Sequence, residues 1–421
     1  MSVAEALTAQ LAAAEGAAPA EVAAALRGVL AAPGSDADSL KVKEAALGKL
    51  TEVLVVQGDA PGLRALLSEL RPLFAAIPKA KTAKIVRTVV DAIARVPGSQ
   101  QHLLEVCKEQ VEWATQEKRT FLRQRIEIRL AQLHMELKEY PAALALISKL
   151  LTEVKRLDDK LLLVDIHLLE SKVHHALKNL PKSRAALTAA RTAANAIYIP
   201  PSLQADIDSQ SGTLHAEEKD YKTSYSYFFE AFEQLSALDD PRAVSVLKYM
   251  LLCKIMTGDV ADVPAIIASK GGLKYAGLDV DAMRAVVKAY QDRSLQEFQA
   301  TLQSYSAQLT DDPIVHAHLS ALYDTLLEQN LIRLIEPFSR VEISHIASLI
   351  KLPLGTVEGK LSQMILDKKF KGTLDQGVGT LEVFEEAAPD TVYPGALETF
   401  GNLGRVVESL SGRSAKLTVG A

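Results

Sequence analysis

The sequence predicts an all-α protein: a TPR-like right-handed α-solenoid, followed by a small α/β winged helix and a C-terminal helix. Two observations favour this fold class. From about residue 41 to about residue 330 the apolar residues keep a helical spacing, and within that stretch a pattern recurs at steps of 40 and 41 residues. The 421 residues are also too many for one core, which stops growing near ~250–300 residues, so the chain is multidomain or an extended array.

The internal repeat is the main basis for predicting a solenoid. Tyr140, Leu180 and Tyr221 each mark a turn that an amphipathic helix follows. Nine positions before each turn residue lies a small residue, and seven positions before it lies an apolar one. These residues are Ala131, Ser171 and Gly212, and Leu133, Val173 and Leu214. Small residues let paired helices approach closely, and because no helix pair can bury its apolar face alone, the pairs must stack.

Composition and charge restrict the class of protein. The chain is 48% hydrophobic and 24% charged, which excludes wholesale disorder, and its net charge of −5 supplies no footprint for nucleic acid. No apolar run is long enough to span a bilayer, and no secretory signal precedes the helices. The two cysteines, Cys107 and Cys253, lie far apart, which fits unpaired thiols in a reducing compartment. The sequence therefore predicts a soluble intracellular protein.

The pattern changes near residue 294 and becomes that of a winged helix. A short strand over 340–343 precedes helices over 344–350 and 355–368. Strands over 370–375 and 380–384 then flank a glycine-rich turn, which is typical of a hairpin. An acidic linker over 385–391 separates this part from an amphipathic helix over 393–410. The predicted domains are an alanine-rich segment 1–40, the solenoid 41–293, a helical part with the winged helix 294–386, and the linker with the last helix 387–421.

Patterns that carry catalytic or metal chemistry are missing from the sequence. The nine histidines include no His-Glu-x-x-His, and no Cys-x-x-Cys is present to bind zinc. His134, His174 and His215 recur at the repeat spacing, and repeat register explains them better than a shared metal ion. The sequence therefore predicts no enzyme activity, no cofactor and no metal.

The winged helix raises nucleic-acid binding as an alternative from another class of function. Residues 336–386 hold six basic and eight acidic residues, so their net charge is negative. The second helix would begin with Leu354, Gly355, Thr356 and Glu358, whereas a recognition helix presents several basic or amide side chains there. The charge pattern therefore disfavours DNA reading.

Several long, irregular strings of this sequence are distinctive. They are KRTFLRQ (118–124), RAALTAARTAANAIY (184–198), YSYFFEAFE (225–233), LKYMLLCKIM (247–256), LLEQNLIRLIEPFSR (326–340), HIASLIKL (345–352) and KLSQMILDKKF (360–370). They resemble the proteasome–signalosome–initiation-factor (PCI) family. More narrowly, they resemble the solenoid-bearing non-ATPase lid subunits of the 26S proteasome regulatory particle, over roughly residues 40–410.

The resemblance implies a non-catalytic scaffold that supports assembly of the regulatory particle and its attachment to the proteolytic core in ubiquitin-dependent protein degradation. The implied partners are other PCI lid subunits, the lid deubiquitinating metallopeptidase, the ATPase ring and the outer ring of the core. The implied setting is a hetero-oligomer of the cytoplasm and nucleus, without nucleic acid or membrane. A PCI scaffold subunit of the signalosome is the first alternative.

Three sets of residues are predicted to contact partners. The first is a strand near the C-terminal end of the winged helix, whose outer side would be an unpaired edge. The second is a basic stretch on a predicted helix, for which a solvated face partly paired with Glu127 is the alternative. The third is the apolar face of the last helix, which could instead pack onto its own chain. The sets are Thr380, Leu381, Val383 and Phe384; Arg123, Arg125 and Arg129; and Leu397, Phe400, Leu403, Val407 and Leu410.

Overall fold

Consecutive helices that pack against one another make up the first structural unit, as the apolar spacing predicts. The computed structural model describes residues 19–31, 37–72, 74, 77–309, 312–384 and 392–418. The first unit ends at Thr257. In chain order its helices are α1 (Pro19–Ala31), α2 (Ala37–Gln57), α3 (Ala60–Glu69), α4 (Lys79–Arg95), α5 (Gln100–Gln116), α6 (Thr120–Glu136), α7 (Tyr140–Leu157), α8 (Lys160–Ala176), α9 (Leu180–Asn195), α10 (Pro201–Glu217), α11 (Tyr221–Ala237) and α12 (Ala243–Thr257).

The repeat turns predicted from the sequence are confirmed, because the three turn residues are the first residues of α7, α9 and α11. Two residues earlier the backbone enters the left-handed region each time. The preceding helix then ends in a Schellman motif: the amide of Lys178 donates to the carbonyl of His175 (2.8 Å) and that of Asn179 to the carbonyl of His174 (2.9 Å). Each left-handed position holds a lysine: Lys138, Lys178 and Lys219.

A lysine at such a turn is strained, because the left-handed conformation costs a residue with a Cβ about 1–2 kcal/mol and costs glycine little. We expect Lys138→Gly to raise the free energy of unfolding by about 0.5–1 kcal/mol, since glycine's greater freedom in the unfolded chain offsets part of the gain. Urea denaturation of the full chain measures the change. The control, Lys172→Gly within α8, should lower stability by about 1 kcal/mol. Equal losses in both variants would show that the turn carries no strain.

The small residues of the repeat lie where paired helices approach each other. Ala131, Ser171 and Gly212 are all buried, and the residue twelve positions further along, in the next helix, is also small and buried each time. In two of the pairs a serine hydroxyl bonds across the approach: Ser183 Oγ donates to the carbonyl of Ser171 and Ser224 Oγ to that of Gly212, both at 2.8 Å. The predicted close approach is therefore confirmed, and hydrogen bonds reinforce it.

Buried apolar clusters overlap along the array of helices. One cluster extends from α1 to α6, a second joins α6, α7 and α8, and a third joins α8, α9 and α10. Leu26 and Val29 of α1 belong to the first, so the alanine-rich region contributes to the core. Each helix pair buries its apolar face against its neighbours, as stacking of repeats requires.

The second unit begins at Gly258 and contains the winged helix. None of the helices that the structure describes is long and apolar enough to cross a membrane. After a 3-10 turn (Val260–Asp262) the elements are α13 (Val263–Ala268), α14 (Lys270–Lys274), α15 (Leu278–Gln291), α16 (Leu295–Ser304), α17 (Ser306–Leu309), α18 (Pro313–Ile335), β1 (Arg340–Glu342), α19 (Ile343–Ile350), α20 (Leu354–Leu366), β2 (Gly372–Asp375), β3 (Thr380–Val383) and α21 (Val392–Thr418).

Strand β3 is the central strand of an antiparallel sheet, so the prediction that residues 380–384 form an unpaired edge is wrong. The strand order is β1–β3–β2, and Leu381 lies between Val341 on one side and Leu374 on the other. The hairpin of β2 and β3 was predicted, but β1 occupies the side of β3 that the hairpin leaves open. The edges of the sheet are therefore β1 and β2.

The predicted fold class, an all-α chain with a TPR-like solenoid, a winged helix and a C-terminal helix, is confirmed. The last helix begins at Val392 and continues to Thr418, beyond its predicted end at Leu410. The predicted linker over 385–391 lies outside the described residues. The predicted domain boundaries stay a prediction.

Candidate interaction surfaces

Both cysteines are buried, and two of the repeat histidines lie beside acidic side chains of their own chain. Among the described residues no group of three or more His, Cys, Asp or Glu side chains could hold a metal ion. Burial raises the pKa of Cys107 to about 12 and that of Cys253 to about 11, so neither thiol is an effective nucleophile at neutral pH. Two of the repeat histidines face the acidic residue of their own turn: His134 Nδ1 lies 2.7 Å from Glu139 and His215 Nδ1 lies 3.9 Å from Asp220.

The predicted basic stretch lies on α6, where its arginines have partners in their own chain. Arg123 pairs with the buried carboxylate of Glu127 and with Glu153 of α7. Arg125 lies 3.4 Å from Asp165 of α8, and Arg129 donates to Gln132 at 3.0 Å. All three arginines are half-buried. These contacts favour the alternative of intrachain pairing, and a docking role for the three arginines stays a prediction.

One of these ion pairs, Arg125 with Asp165, follows the repeat register. Arg125, Asp165 and Asp206 occupy the same position in successive repeats. Arg125 pairs with Asp165, and Asp206 pairs with Arg242 at 2.6 Å. Burial raises the pKa of Asp165, and the nearby Arg125 opposes that rise. The first pair therefore joins one repeat to the next and partly compensates a buried carboxylate.

We expect Arg125→Glu to destabilise the solenoid itself. The new carboxylate would lie beside Asp165, which would lose its cation, and the expected loss is on the order of 1–2 kcal/mol. Thermal unfolding of the isolated chain measures the loss. Arg156→Glu is the control, since Arg156 is exposed on α7 and no described acidic residue pairs with it. Unchanged unfolding together with a salt-sensitive loss of binding to other subunits would restore the docking role.

The winged helix exposes fewer of its predicted contact residues than expected. Leu381 and Thr380 are buried, Val383 is half-buried, and Phe384 alone among the four presents an exposed side chain. Other exposed apolar side chains lie around the same part of the second unit. They are Phe338, Leu349, Leu354, Leu366 and Val378. Phe384, these side chains and the backbone edges of β1 and β2 are exposed features of the winged helix, and their contact with a partner stays a prediction.

The predicted apolar face of the last helix lies exposed on α21. Leu397, Phe400, Leu403, Val407 and Leu410 are 56–72% exposed, and every side chain described in α21 is exposed. No other described element of the second unit covers the face. An apolar face of this kind is typical of an interaction site, and contact with a partner there stays a prediction.

A second basic surface, on α4, was not among the predicted sets. Lys79, Lys84, Arg87 and Arg95 are exposed there, and Lys81 pairs with Glu44 of α2 at 3.0 Å. No described acidic side chain lies within ion-pair distance of Lys79, Lys84 or Arg87. This basic surface could have been predicted from the sequence, because residues 79–95 hold five basic residues and one acidic one.

Two family models match the chain. The 26S proteasome regulatory subunit RPN6 N-terminal domain matches residues 4–137, which include the alanine-rich segment, and the PCI domain matches residues 302–385. A helical solenoid followed by a winged helix within the PCI match defines a PCI protein.

Curated relatives match over nearly the whole chain. The 26S proteasome non-ATPase regulatory subunit 11 homolog of Arabidopsis thaliana is 64% identical over 389 residues, which cover 92% of this chain and 93% of that protein. The 26S proteasome non-ATPase regulatory subunit 11 of Dictyostelium discoideum is 54% identical over 90% of this chain and 92% of its own length. The 26S proteasome regulatory subunit RPN6 of Saccharomyces cerevisiae is 46% identical over 92% and 91%. The chain belongs to the family of the 26S proteasome non-ATPase regulatory subunit 11, also named Rpn6.

Proposed function

We propose that the chain is a non-catalytic scaffold subunit in the lid of the 26S proteasome regulatory particle. In this role it supports assembly of the particle and its attachment to the proteolytic core in ubiquitin-dependent protein degradation, in the cytoplasm and nucleus. The names of the relatives support the choice of particle over the signalosome. The proposed partners are other PCI lid subunits, the lid deubiquitinating metallopeptidase, the ATPase ring and the outer ring of the core.

The observation that carries the scaffold role is the exposed apolar face of α21. With 27 residues, and a rise of about 1.5 Å for each residue, this helix is about 40 Å long, and it offers five large apolar side chains along one side. An isolated helix with such a face is marginal in water, so its burial against other helices would stabilise it.

Glycines in α21 support a helical partner. Gly401 and Gly404 border the apolar face, and each lowers helix propensity by up to about 1 kcal/mol relative to alanine. A Cβ at either position would meet no atom within 4 Å, so no close approach within this chain requires a glycine there. A neighbouring helix that packs closely against the face would require one. The C-terminal helices of other lid subunits are the proposed neighbours.

Affinity purification of the tagged chain from cells, followed by mass spectrometry, tests the proposal. Lid, ATPase and core subunits of the proteasome should copurify in similar amounts. A set of signalosome subunits instead, or recovery of the chain alone, would contradict it. DNA retained at physiological salt would favour the nucleic-acid alternative.

A further inference from the structure

Two adjoining hollows form one groove between α2 and α4 in the first unit. Their volumes are about 310 and 550 Å³, and Gly48, Thr51 and Thr88 line both. From Glu44 to Val56 the groove follows α2 for about 18 Å at the helical rise. Its apolar walls are Leu47, Val55, Val56, Ile85, Val89 and Ala92.

The groove is open along its length. A Cβ at Gly48 would meet no atom within 4 Å, so this glycine serves no close approach within the chain. It nevertheless lowers the helix propensity of α2 by about 1 kcal/mol relative to alanine. At the far end Val56 is 88% exposed, which is unusual for an aliphatic side chain beside other apolar groups. Both features leave apolar surface available to an occupant.

The two ends of the groove differ in charge. Lys81, Lys84 and Glu44 line one end, and Glu52, Asp91 and Arg95 line the other. Lys79 and Arg87 lie exposed on the same helix as Lys81 and Lys84. The first turn of α4 contains no acidic residue, and Pro78 before it provides no side-chain cap. Since the N-terminus of a helix is itself partly positive, lysines in its first turns oppose the helix dipole. The helix dipole therefore does not account for Lys84, which has no ion-pair partner among the described residues.

We propose that this groove docks an acidic amphipathic segment of a partner protein. Apolar side chains of the segment would lie over Leu47, Ile85 and Val89, and its carboxylates would point toward Lys81 and Lys84. Charge complementarity favours this occupant. Glu44 pairs with Lys81 at the basic end of the groove, and Lys84 at the same end has no ion-pair partner among the described residues. An apolar face laid into a groove between two helices is a recurrent mode of peptide recognition. The proposal goes beyond the scaffold role, since it holds whichever complex supplies the partner.

A pair of synthetic peptides tests the proposal on the purified full chain. The first is a fluorescent amphipathic helix with leucines on one face and glutamates in one half, and the second replaces each glutamate with lysine. Fluorescence anisotropy measures binding at low and high salt. We expect the acidic peptide to bind at least about tenfold more tightly than the basic one and to weaken as salt rises.

Two variants with matched controls locate the binding. Gly48→Leu fills the groove and raises helix propensity, so it should fold and bind the acidic peptide at least about tenfold more weakly. Gly28→Leu is its control, since Gly28 is an exposed glycine of α1 outside the groove with no atom within 4 Å of its Cβ position. Lys84→Glu should also weaken binding, whereas Lys108→Glu, the same charge change on exposed α5 surface, should not.

Several outcomes would overturn the proposal. Equal binding of the two peptides, equal binding by Gly48→Leu and the unaltered chain, or no saturable binding up to ~1 mM would each do so. If the peptide binds only after residues 1–18 are removed, the occupant is a segment of the chain itself. If Gly48→Leu abolishes self-association, the occupant is a second copy. In these last two cases a partner protein is not the occupant.

Discussion

A chain that ends at Glu386, and so lacks α21, is expected to keep its melting temperature but to fail to join the regulatory particle. Every described side chain of α21 is exposed, and substitutions at exposed positions normally change stability by no more than about 0.5 kcal/mol. Loss of the apolar face would remove the surface that we propose other subunits bury. Thermal melting of the truncated chain, beside its incorporation into reconstituted complexes, measures both effects.

Single substitutions in the full chain test whether incorporation depends on the apolar face of α21 or only on the presence of the helix. Phe400→Asp and Leu403→Asp each place a carboxylate on the face, which would then be desolvated in a subunit contact at a penalty of several kcal/mol. We expect incorporation to fall steeply with little change in melting. Asn402→Asp adds the same charge on the opposite side of α21 and should incorporate normally. A large fall in melting temperature with normal incorporation would show that α21 serves its own domain.

Features that depend on local spacing could be predicted from the sequence. The turns before α7, α9 and α11 follow from a repeat whose small and apolar positions lie within nine residues of the turn. The hairpin of β2 and β3 follows from two strand patterns around a glycine-rich turn. Such signals need no knowledge of distant parts of the chain, because helix and hairpin contacts are local in sequence.

The edge of the sheet could not be predicted in the same way. Whether β3 is an edge depends on β1, which lies about forty residues earlier and contributes three residues. The strand itself was predicted over 340–343, but so short a segment has no periodic pattern that specifies which strand it pairs with. The pairing of Val341 with Leu381 is therefore a tertiary contact, and only the structure reveals it.

The charge pattern of the sequence did not show which basic residues pair within the chain and which lie free on its surface. The arginines of α6 and the lysines of α4 look alike in the sequence, yet Arg125 has Asp165 beside it and Lys84 has no described acidic partner. The pairing of Arg125 could have been predicted from the repeat, since Arg125 and Asp165 occupy the same position in adjacent repeats. For α4 the signal was the excess of basic residues within one helix.

A second large effect is expected at Gly212, where α10 approaches α11. A Cβ at this position would lie 2.8–2.9 Å from three ring atoms of Phe228. That ring is fully buried, and it packs against Tyr249 with 5.4 Å between ring centroids, so it has little room to move away. We expect Gly212→Val to lower the free energy of unfolding by about 2–4 kcal/mol, because overpacking forces the two helices apart and weakens the bond from Ser224 Oγ to the Gly212 carbonyl.

The matched control for Gly212→Val is Gly48→Val in α2, where a Cβ would meet no atom within 4 Å. Both substitutions exchange a helical glycine for the same β-branched residue, so their difference isolates the close approach from helix propensity. We expect Gly48→Val to be neutral or slightly stabilising, and urea denaturation of both variants measures the difference. Similar denaturation midpoints would mean that the helix pair tolerates a side chain at Gly212. The small residue nine positions before each turn would then not be what sets the spacing of the repeat.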